Sequence, residues 1–501
     1  MHPAPIASSG CHRAKIAVFA VLAALQACGV GPSFVRPEPP PATRYIADDV
    51  PIEQPPGTEG AQHIVLGKQI EGDWWALFGS DAIDGVVKQA LEHNRTLKAA
   101  SQNLAQAQEL ALAQGGLRFP QVGLSAGIGR QKYGAEFLGG VFRVPPFTYF
   151  AVGPSVSYTL DYTGGIARSI EEQEAQAEVA RQQLQATYLT VSGQAVMQTI
   201  TIASIGAQLS TIDTILAQDR DNLRLVRTAF ETGQVARIDV VSAESQIASD
   251  SSLLPPLRQD LSRAHHALSL ILGRTPEAQL PQDLQLAAIV LPLELPVSLP
   301  SELAHRRPDI LAAEASLHAA TSAVGVAESN LYPKIQLTGS LGQQSPTPGG
   351  LFEGTGTAWS LLSGLTMPLF DGGALRAERR AAVDAMRASA STYEQTVLEA
   401  FGQVADLLDA LSHDAEQLAA EDEAQQAAGA NLGLTREAYQ EGNVGILQVL
   451  DAQRSYQQAR LGFVKAQGQR YLDTVQLFLA LGGTPPRALD RPSAQNLPSG
   501  N

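Results

Sequence analysis

Two kinds of hydrophobic spacing alternate along this chain, and each kind occurs in two blocks. From about Asp81 to Leu117 the apolar residues fall at helical intervals, with Ile83, Val87, Leu91 and Leu97 on one face and Leu104, Leu110 and Leu112 continuing the pattern. At Phe119-Pro120 the period drops to two: Val122, Leu124, Ala126 and Ile128 alternate with Gly123, Ser125, Gly127 and Gly129. A second alternating run carries Val152, Val156, Tyr158 and Leu160. In the second half Tyr332-Pro333 leads into Ile335, Leu337 and Leu341, and a fourth run carries Trp359, Leu361, Leu365, Met367 and Leu369. A period of two predicts strands, and each run is near the ten residues that a tilted strand needs to cross a bilayer. A soluble hairpin with one buried face has the same alternation. The connecting segments, about 130–150 and 343–356, carry glycine, proline and aromatics such as Tyr133, Phe137, Phe147 and Phe150, which suit a membrane-interface girdle.

After each strand pair the spacing becomes helical for an unusual length. No proline occurs between Gly165 and Phe230, and Ile205, Leu209, Ile212, Leu216, Leu223, Val226 and Phe230 step by three, four or seven. Val397, Val404, Leu411 and Leu418 step by seven in the second half. Both patterns predict a coiled-coil seam. About 66 residues at 1.5 Å each make a rod of roughly 100 Å, unless an unmarked turn divides it. Shorter return helices are expected after Gly233 and Gly442, ending near Gly273 and Gly482, with Pro255-Pro256 bending or breaking the first.

These blocks form a repeat. Gly164-Gly165 is echoed by Gly372-Gly373, Phe230-Glu231-Thr232-Gly233 by Tyr439-Gln440-Glu441-Gly442, and Leu272-Gly273-Arg274-Thr275-Pro276 by Leu481-Gly482-Gly483-Thr484-Pro485, each about 209 residues later. One structural unit built twice is the simplest source of a near-constant offset. The chain divides accordingly into 71–276 and 277–485, with a short tail at 486–501.

The N-terminus adds an address. His12-Arg13 and Lys15 precede the apolar run Ile16 to Leu25, and Leu25-Gln26-Ala27-Cys28 follows. Residues 1–27 read as an export signal, too short in its apolar part to span a bilayer. The Leu-Gln-Ala-Cys run resembles a bacterial lipobox, which would make Cys28 the acylated first residue of the mature chain. Residues 28–70, with Pro37, Pro39, Pro40, Pro41, Pro51, Pro55 and Pro56, then read as an extended proline-rich tether. Cys11 falls in the signal, so one cysteine remains and no intrachain disulfide is expected.

Charge narrows the function. Removing 1–27 takes away Arg13 and Lys15 but no acid, so the net charge of −15 becomes −17. Such an acidic balance argues against nucleic acid as a partner. After the signal no run of 18 apolar residues occurs, so no transmembrane helix is expected, while barrel strands leave a weaker trace. The histidines lack metal-ligand spacing: His265-His266 are adjacent and point to different helical faces. Neither a Gly-x-Ser-x-Gly elbow nor a phosphate-binding Gly-rich loop with Lys occurs, so neither an enzyme nor a cofactor is expected.

Four membrane strands cannot close a barrel alone, because open edges in hydrocarbon leave backbone groups unpaired at several kcal/mol each. Cyclic copies would seal them. Two copies supply eight strands and three supply twelve; an eight-stranded barrel is filled by its own side chains, so conduction favours twelve or more.

The chain resembles the TolC-like outer-membrane efflux channels, in their OprM/NodT-type lipoprotein branch. The resemblance is carried by Cys28-Gly29-Val30-Gly31-Pro32, Trp74-Trp75-Ala76-Leu77-Phe78, Arg306-Arg307-Pro308-Asp309-Ile310 with Ala313-Glu314, Tyr332-Pro333, Gly372-Gly373 and Val449-Leu450-Asp451-Ala452-Gln453-Arg454. It implies a mixed α and β fold: a homotrimeric outer-membrane β-barrel, four strands per protomer and twelve in all, continued by a long periplasmic α-helical barrel. It also implies a periplasmic adaptor and an inner-membrane pump of the resistance-nodulation-division (RND) type as partners. The channel would be a passive conduit for drugs, dyes, solvents or metals. Type I protein secretion on the same fold, and a periplasmic scaffold lipoprotein without a pore, are the alternatives.

The resemblance further implies a periplasmic gate at the helix-hairpin turns Gly233 and Gly442. Asp239 falls at a lock aspartate, Tyr439 at the lock tyrosine and Asp451 at a constriction aspartate. Val444, Gln448 and Ile238 stand where the family pattern has an arginine, an aspartate and a threonine, which points to a looser, partly hydrophobic closure. Asp239 and Asp451 also suit helix starts. Arg306, Arg307, Pro308 and Asp309 read as a structural motif, with Pro308 opening a helix and Asp309 satisfying free amides there.

Overall fold

The computed structural model describes the chain apart from residues 1–28, 39, 43, 47–61, 69–71, 133–144, 278–284, 355 and 483–501. The export signal, Cys28, Tyr133, Phe137 and the tail 486–501 therefore lie outside the described residues. Two compact units are present, each assembled from three stretches of chain.

The first unit holds residues up to 37 together with 104–180 and 313–393. Its centre is an antiparallel four-stranded sheet built from β2 (Gln121–Gln131), β3 (Phe147–Leu160), β5 (Lys334–Ser345) and β6 (Thr357–Thr366), in that order. β2 and β6 are the edges. The fourth run ends earlier than its alternation suggested: Met367 and Leu369, on either side of Pro368, lie beyond the last strand residue, Thr366. Gly129 faces Tyr149 across the β2–β3 pair, and a Cβ there would stand 2.6 Å from the tyrosine ring, so the ring covers the bare backbone.

The tether expectation changes at its start. Residues 29–37 are docked. Val30 N–H donates to the Thr163 carbonyl at 2.9 Å, the Phe34 ring stacks on His318 at 4.4 Å, and Arg36 pairs with Glu314 at 2.8 Å. His318 in turn meets Glu171 at 2.9 Å, and Arg168 pairs with the same carboxylate at 2.7 Å. Proline denies this segment a ladder of its own, but side chains and single backbone bonds still hold it.

The second unit holds 38–103, 181–312 and residues from 394 onward. A short strand β1 (His63–Leu66), inside the expected tether, pairs in parallel with β4 (Glu294–Val297). Trp74 and Phe78 of a 3₁₀ turn (Trp74–Phe78) meet Phe478 with ring centroids 5.9 and 6.1 Å apart, and all three are fully buried. The helical stretch predicted from Asp81 is interrupted: α1 (Asp81–His93) and α2 (Arg95–Gly115) meet at Asn94. Its Oδ1 accepts the Leu97 amide at 3.0 Å and its Nδ2 donates to the Ile271 carbonyl at 2.9 Å, so this residue caps the second helix and ties it down.

The long helices are α3 (Gly165–Glu231) and α8 (Ala374–Gln440), each an unbroken 67 residues. The two begin alike. Asp161 accepts the amides of Ile166 and Ala167, and Asp371 those of Gly373 and Leu375, at 2.8 to 3.0 Å. They also end alike. Gly233 (φ 79) and Gly442 (φ 78) take the left-handed conformation that closes a helix, with Gln234 N–H donating to the Ala229 carbonyl and Asn443 N–H to that of Ala438, both at about 2.8–2.9 Å.

The return path after Gly233 is divided into α4 (Arg237–Ser251) and α5 (Leu254–Ile271), with Pro255 in the first turn of the latter, where its missing N–H costs nothing. The return path after Gly442 is the single helix α9 (Ile446–Ala480). Between the halves, the short α6 (Pro300–Leu303) precedes α7 (Pro308–Ser329). α3 and α7 each contain a stretch long and apolar enough to cross a membrane, and about half of each stretch, 50% and 44%, is buried inside the protein. Packing against neighbouring helices accounts for that composition.

Candidate functional site

The four-stranded sheet is the first candidate. Residues directly opposite on antiparallel strands point to the same side, so the register sorts the side chains into two faces. One face brings together Val122 with Val156, Ala126 with Val152, Ile128 with Phe150, Tyr158 with Leu337, Ile335 with Leu365, and Leu341 with Trp359. The other brings together Gln121 with Ser157 and Thr338, Thr159 with Gln336, and Ser155 with Ser340 and Ser360. Ser340 and Ser360 share a hydrogen bond at 2.8 Å. Phe147, Tyr149 and Leu362 are the larger uncharged side chains on the polar face.

Among the described residues the apolar face is left open. Leu124 is 77% exposed, and Trp359 and Leu361 are each 76% exposed. A soluble sheet buries such a face, and patches of this size mark contact with lipid or another protein. Among the described residues β2 and β6 are the two edges of the sheet, each with one side that no strand pairs. Phe150 lies on the apolar side, whereas Phe147, opposite Gln131, turns to the other side and departs from the girdle expected of it.

The second candidate is the helix-hairpin end. Val226, Val240, Leu432, Ile446, Val449 and Ala452 form one buried cluster, and Tyr439 packs against it. Asp239 is buried in the first turn of α4, where its Oδ2 accepts the Ala236 amide at 2.9 Å. Asp451 is exposed on α9 and pairs with Arg454 one turn on. No hydrogen bond joins Asp239, Tyr439 and Asp451 to one another among the described residues. Ile238 and Leu447 are exposed at the same end. Within the chain, then, the expected gate residues are three separate groups: a helix-start carboxylate, a packed ring and a surface ion pair.

A polar network nearby escaped the sequence reading. Asp219 of α3 is 4% exposed, and its Oδ1 accepts from both Gln453 and Gln457 of α9 at 3.0 Å. Gln453, 1% exposed, also accepts from Asn222 and from Arg436 of α8. Burial, reinforced by the adjacent Asp250, pushes the Asp219 carboxyl up to about 6, against the lowering effect of the two amides. The signal was present in the sequence: Asp219 interrupts the seam Ile212, Leu216, Leu223, Val226, where an apolar residue is due.

Arg307 occupies a third polar centre. It is largely buried, pairs with Asp309 at 2.9 Å, and donates to the Ala480 carbonyl at 3.0 Å and to Gln403. Pro308 is the first residue of α7, and the Asp309 carboxylate accepts the Ile310 amide at 2.9 Å. Arg306 makes a backbone turn bond to Leu303 at 3.0 Å. Among the described residues no group of three or more His, Cys, Asp or Glu is placed to hold a metal.

Known proteins resemble this chain in sequence and fold. Residues 86–274 and 299–483 match the profile of a family described as outer membrane efflux protein, one segment in each half. Over 473 residues the chain is 26% identical to the cation efflux system protein CusC of Escherichia coli K12, covering 94% of this chain and 99% of that one. It is 28% identical over 474 residues to the toluene efflux pump outer membrane protein TtgI of Pseudomonas putida, covering 94% and 98%. Its fold matches that of the outer-membrane channel OprN with a TM-score of 0.80 at 28% identity, over 91% of this chain and 99% of that one.

Proposed function

The chain belongs to the outer membrane efflux protein family, a family of channels and not of enzymes, and from that premise we propose that it is the passive outer-membrane conduit of a tripartite efflux system. Three copies would close their sheets edge to edge, β6 of one against β2 of the next, into a twelve-stranded barrel. The apolar face of the sheet would meet lipid and the polar face would line the water-filled lumen. Cys28, in the OprM/NodT-type lipoprotein manner, would carry acyl chains that add an anchor in the inner leaflet of the outer membrane. An inner-membrane RND-type pump, working through a periplasmic adaptor, would deliver small molecules, namely drugs, solvents or metals, and supply the energy.

Asp239, Tyr439 and Asp451, beside the turns at Gly233 and Gly442, would form the periplasmic closure. Three symmetry-related Asp451 carboxylates would draw cations to it. Arg306, Arg307, Pro308 and Asp309 serve packing.

The exposed apolar face of the four-stranded sheet carries this reading, because nothing among the described residues covers it and hydrocarbon would. Purified full-length protein is expected to run as a trimer in detergent and to conduct ions in planar lipid films. A monomer that does not conduct would overturn the proposal. Cells lacking the chain, screened against antimicrobials, solvents and metals, are expected to reveal the cargo through their sensitivities.

A further inference from the structure

The four strands of the sheet carry only two charged residues, Arg130 and Lys334. The register separates them. Arg130 stands in β2 on the face of Val122, Leu124 and Ile128, opposite Thr148. Lys334 opens β5 on the face of Gln336 and Thr338, opposite Thr366 of β6. The polar face is otherwise built from glycine, serine, threonine, glutamine and a few uncharged larger side chains. Lys334 is thus its one charge, at the end of the strands nearest the long helices.

Lys334 is exposed and lines a cavity of about 360 Å³ shared with Asp161, Tyr162 and Asn330. No ion pair involves it among the described residues. Two acids of this junction have partners other than Lys334: Asp161 and Asp371 each accept two amides at the start of a long helix, where the helix dipole stabilises their charge. The corresponding position of the first half, after Phe119-Pro120, is Gln121, whose amide donates to the Gly116 and Phe119 carbonyls at 3.0 and 2.9 Å. On the strands themselves each copy therefore brings one positive charge to this level, beside the helix-start carboxylates Asp161 and Asp371, and a neutral side chain at its counterpart.

We propose that Lys334 forms a positive collar on an otherwise uncharged lumen wall and sets the charge preference of the barrel, drawing exported molecules that carry an anionic group and opposing free cations. The proposal rests on the barrel reading above. It runs against the net charge of −15 of the chain as a whole, so bulk composition would mispredict it.

Reversal potentials across a KCl gradient in planar lipid films test it, with trimers of the full chain. Lys334→Gln is expected to raise the potassium-to-chloride permeability ratio about twofold at 0.1 M salt and more at 0.01 M, where screening extends from about 10 to about 30 Å. Gln121→Lys, which doubles the collar, is expected to lower the ratio, and Lys334→Arg to match the wild type. Ratios for Lys334→Gln and Gln121→Lys equal to wild type at 0.01 M would overturn the collar while leaving the channel intact. A wild-type protein that does not conduct would instead overturn the barrel reading, and the collar with it.

Discussion

The side-chain amide of Gln453 donates to the buried carboxylate of Asp219 at 3.0 Å, joining α9 to α3 across 234 residues of sequence. Gln457 makes the same bond one turn later, and among the described residues the second oxygen of Asp219 has no hydrogen-bond partner. Burial raises this carboxyl to about 6, and burial with the neighbouring Asp473 raises Asp414 to about 7. An acid whose pKa is higher folded than unfolded stabilises the fold fully below the unfolded value, and that contribution disappears as pH rises through the folded one. These groups therefore weaken the helical packing between about pH 4 and pH 7. Asp219→Asn keeps the acceptor oxygen and removes the charge. It is expected to add about 2–3 kcal/mol at pH 7.5 and to flatten the pH dependence of thermal unfolding followed by circular dichroism. An unchanged slope would exclude Asp219 as its source.

Arg307 donates to a carbonyl at the end of α9 and pairs with Asp309 at the start of α7. Arg307→Ala would strand those acceptors in the interior and is expected to cost about 3 kcal/mol or more in denaturant unfolding. Arg307→Lys is expected to recover little, because a single ammonium cannot reach the several acceptors that the planar fork serves. Full recovery by lysine would show that charge alone matters there.

The two faces of the sheet are expected to tolerate charge unequally. Leu124→Arg, on the apolar face, is expected to cost about 2–4 kcal/mol near the bilayer midplane and to lower the amount of assembled trimer in outer-membrane fractions. Ser157→Lys, on the polar face, is expected to assemble at close to the wild-type level. Equal losses would contradict a lipid-facing assignment.

Asp451 pairs with Arg454 on the exposed side of α9. Asp451→Ala is expected to weaken cation preference at the helix-hairpin end in single-channel recordings. Asp239→Ala is expected to act mainly on the stability of the α4 start, by about 1 kcal/mol, because its carboxylate is bonded to the Ala236 amide. Reversal of these two effects would exchange the roles of the two acids.

Much of the architecture was readable from spacing. The alternation at Val122, Leu124 and Ile128, the seven-residue steps at Val397, Val404 and Leu411, and the paired turns at Gly233 and Gly442 all correspond to observed elements. Burial periodicity follows from the geometry of a single helix or strand, so a local window contains it. Helix ends behave similarly, since a left-handed glycine or a capping carboxylate acts within a few residues. The docking of residues 29–37, the parallel pairing of β1 with β4 and the interruption at Asn94 were not readable in this way. Each depends on a partner far along the chain, at Thr163, Glu294 and Ile271.

The gate residues mark the same boundary. Sequence comparison placed Asp239, Tyr439 and Asp451 near the hairpin turns, but a carboxylate has no partner until distant helices are brought beside it. Folding gave Asp239 a backbone amide, Asp451 a neighbouring arginine, and Asp219, which no motif had marked, the most buried carboxylate contact between α3 and α9. Residue order decided which elements form and how often, because those choices are made over a turn or a pleat. Tertiary packing decided which polar groups meet, because only it removes water and replaces it with a particular neighbour.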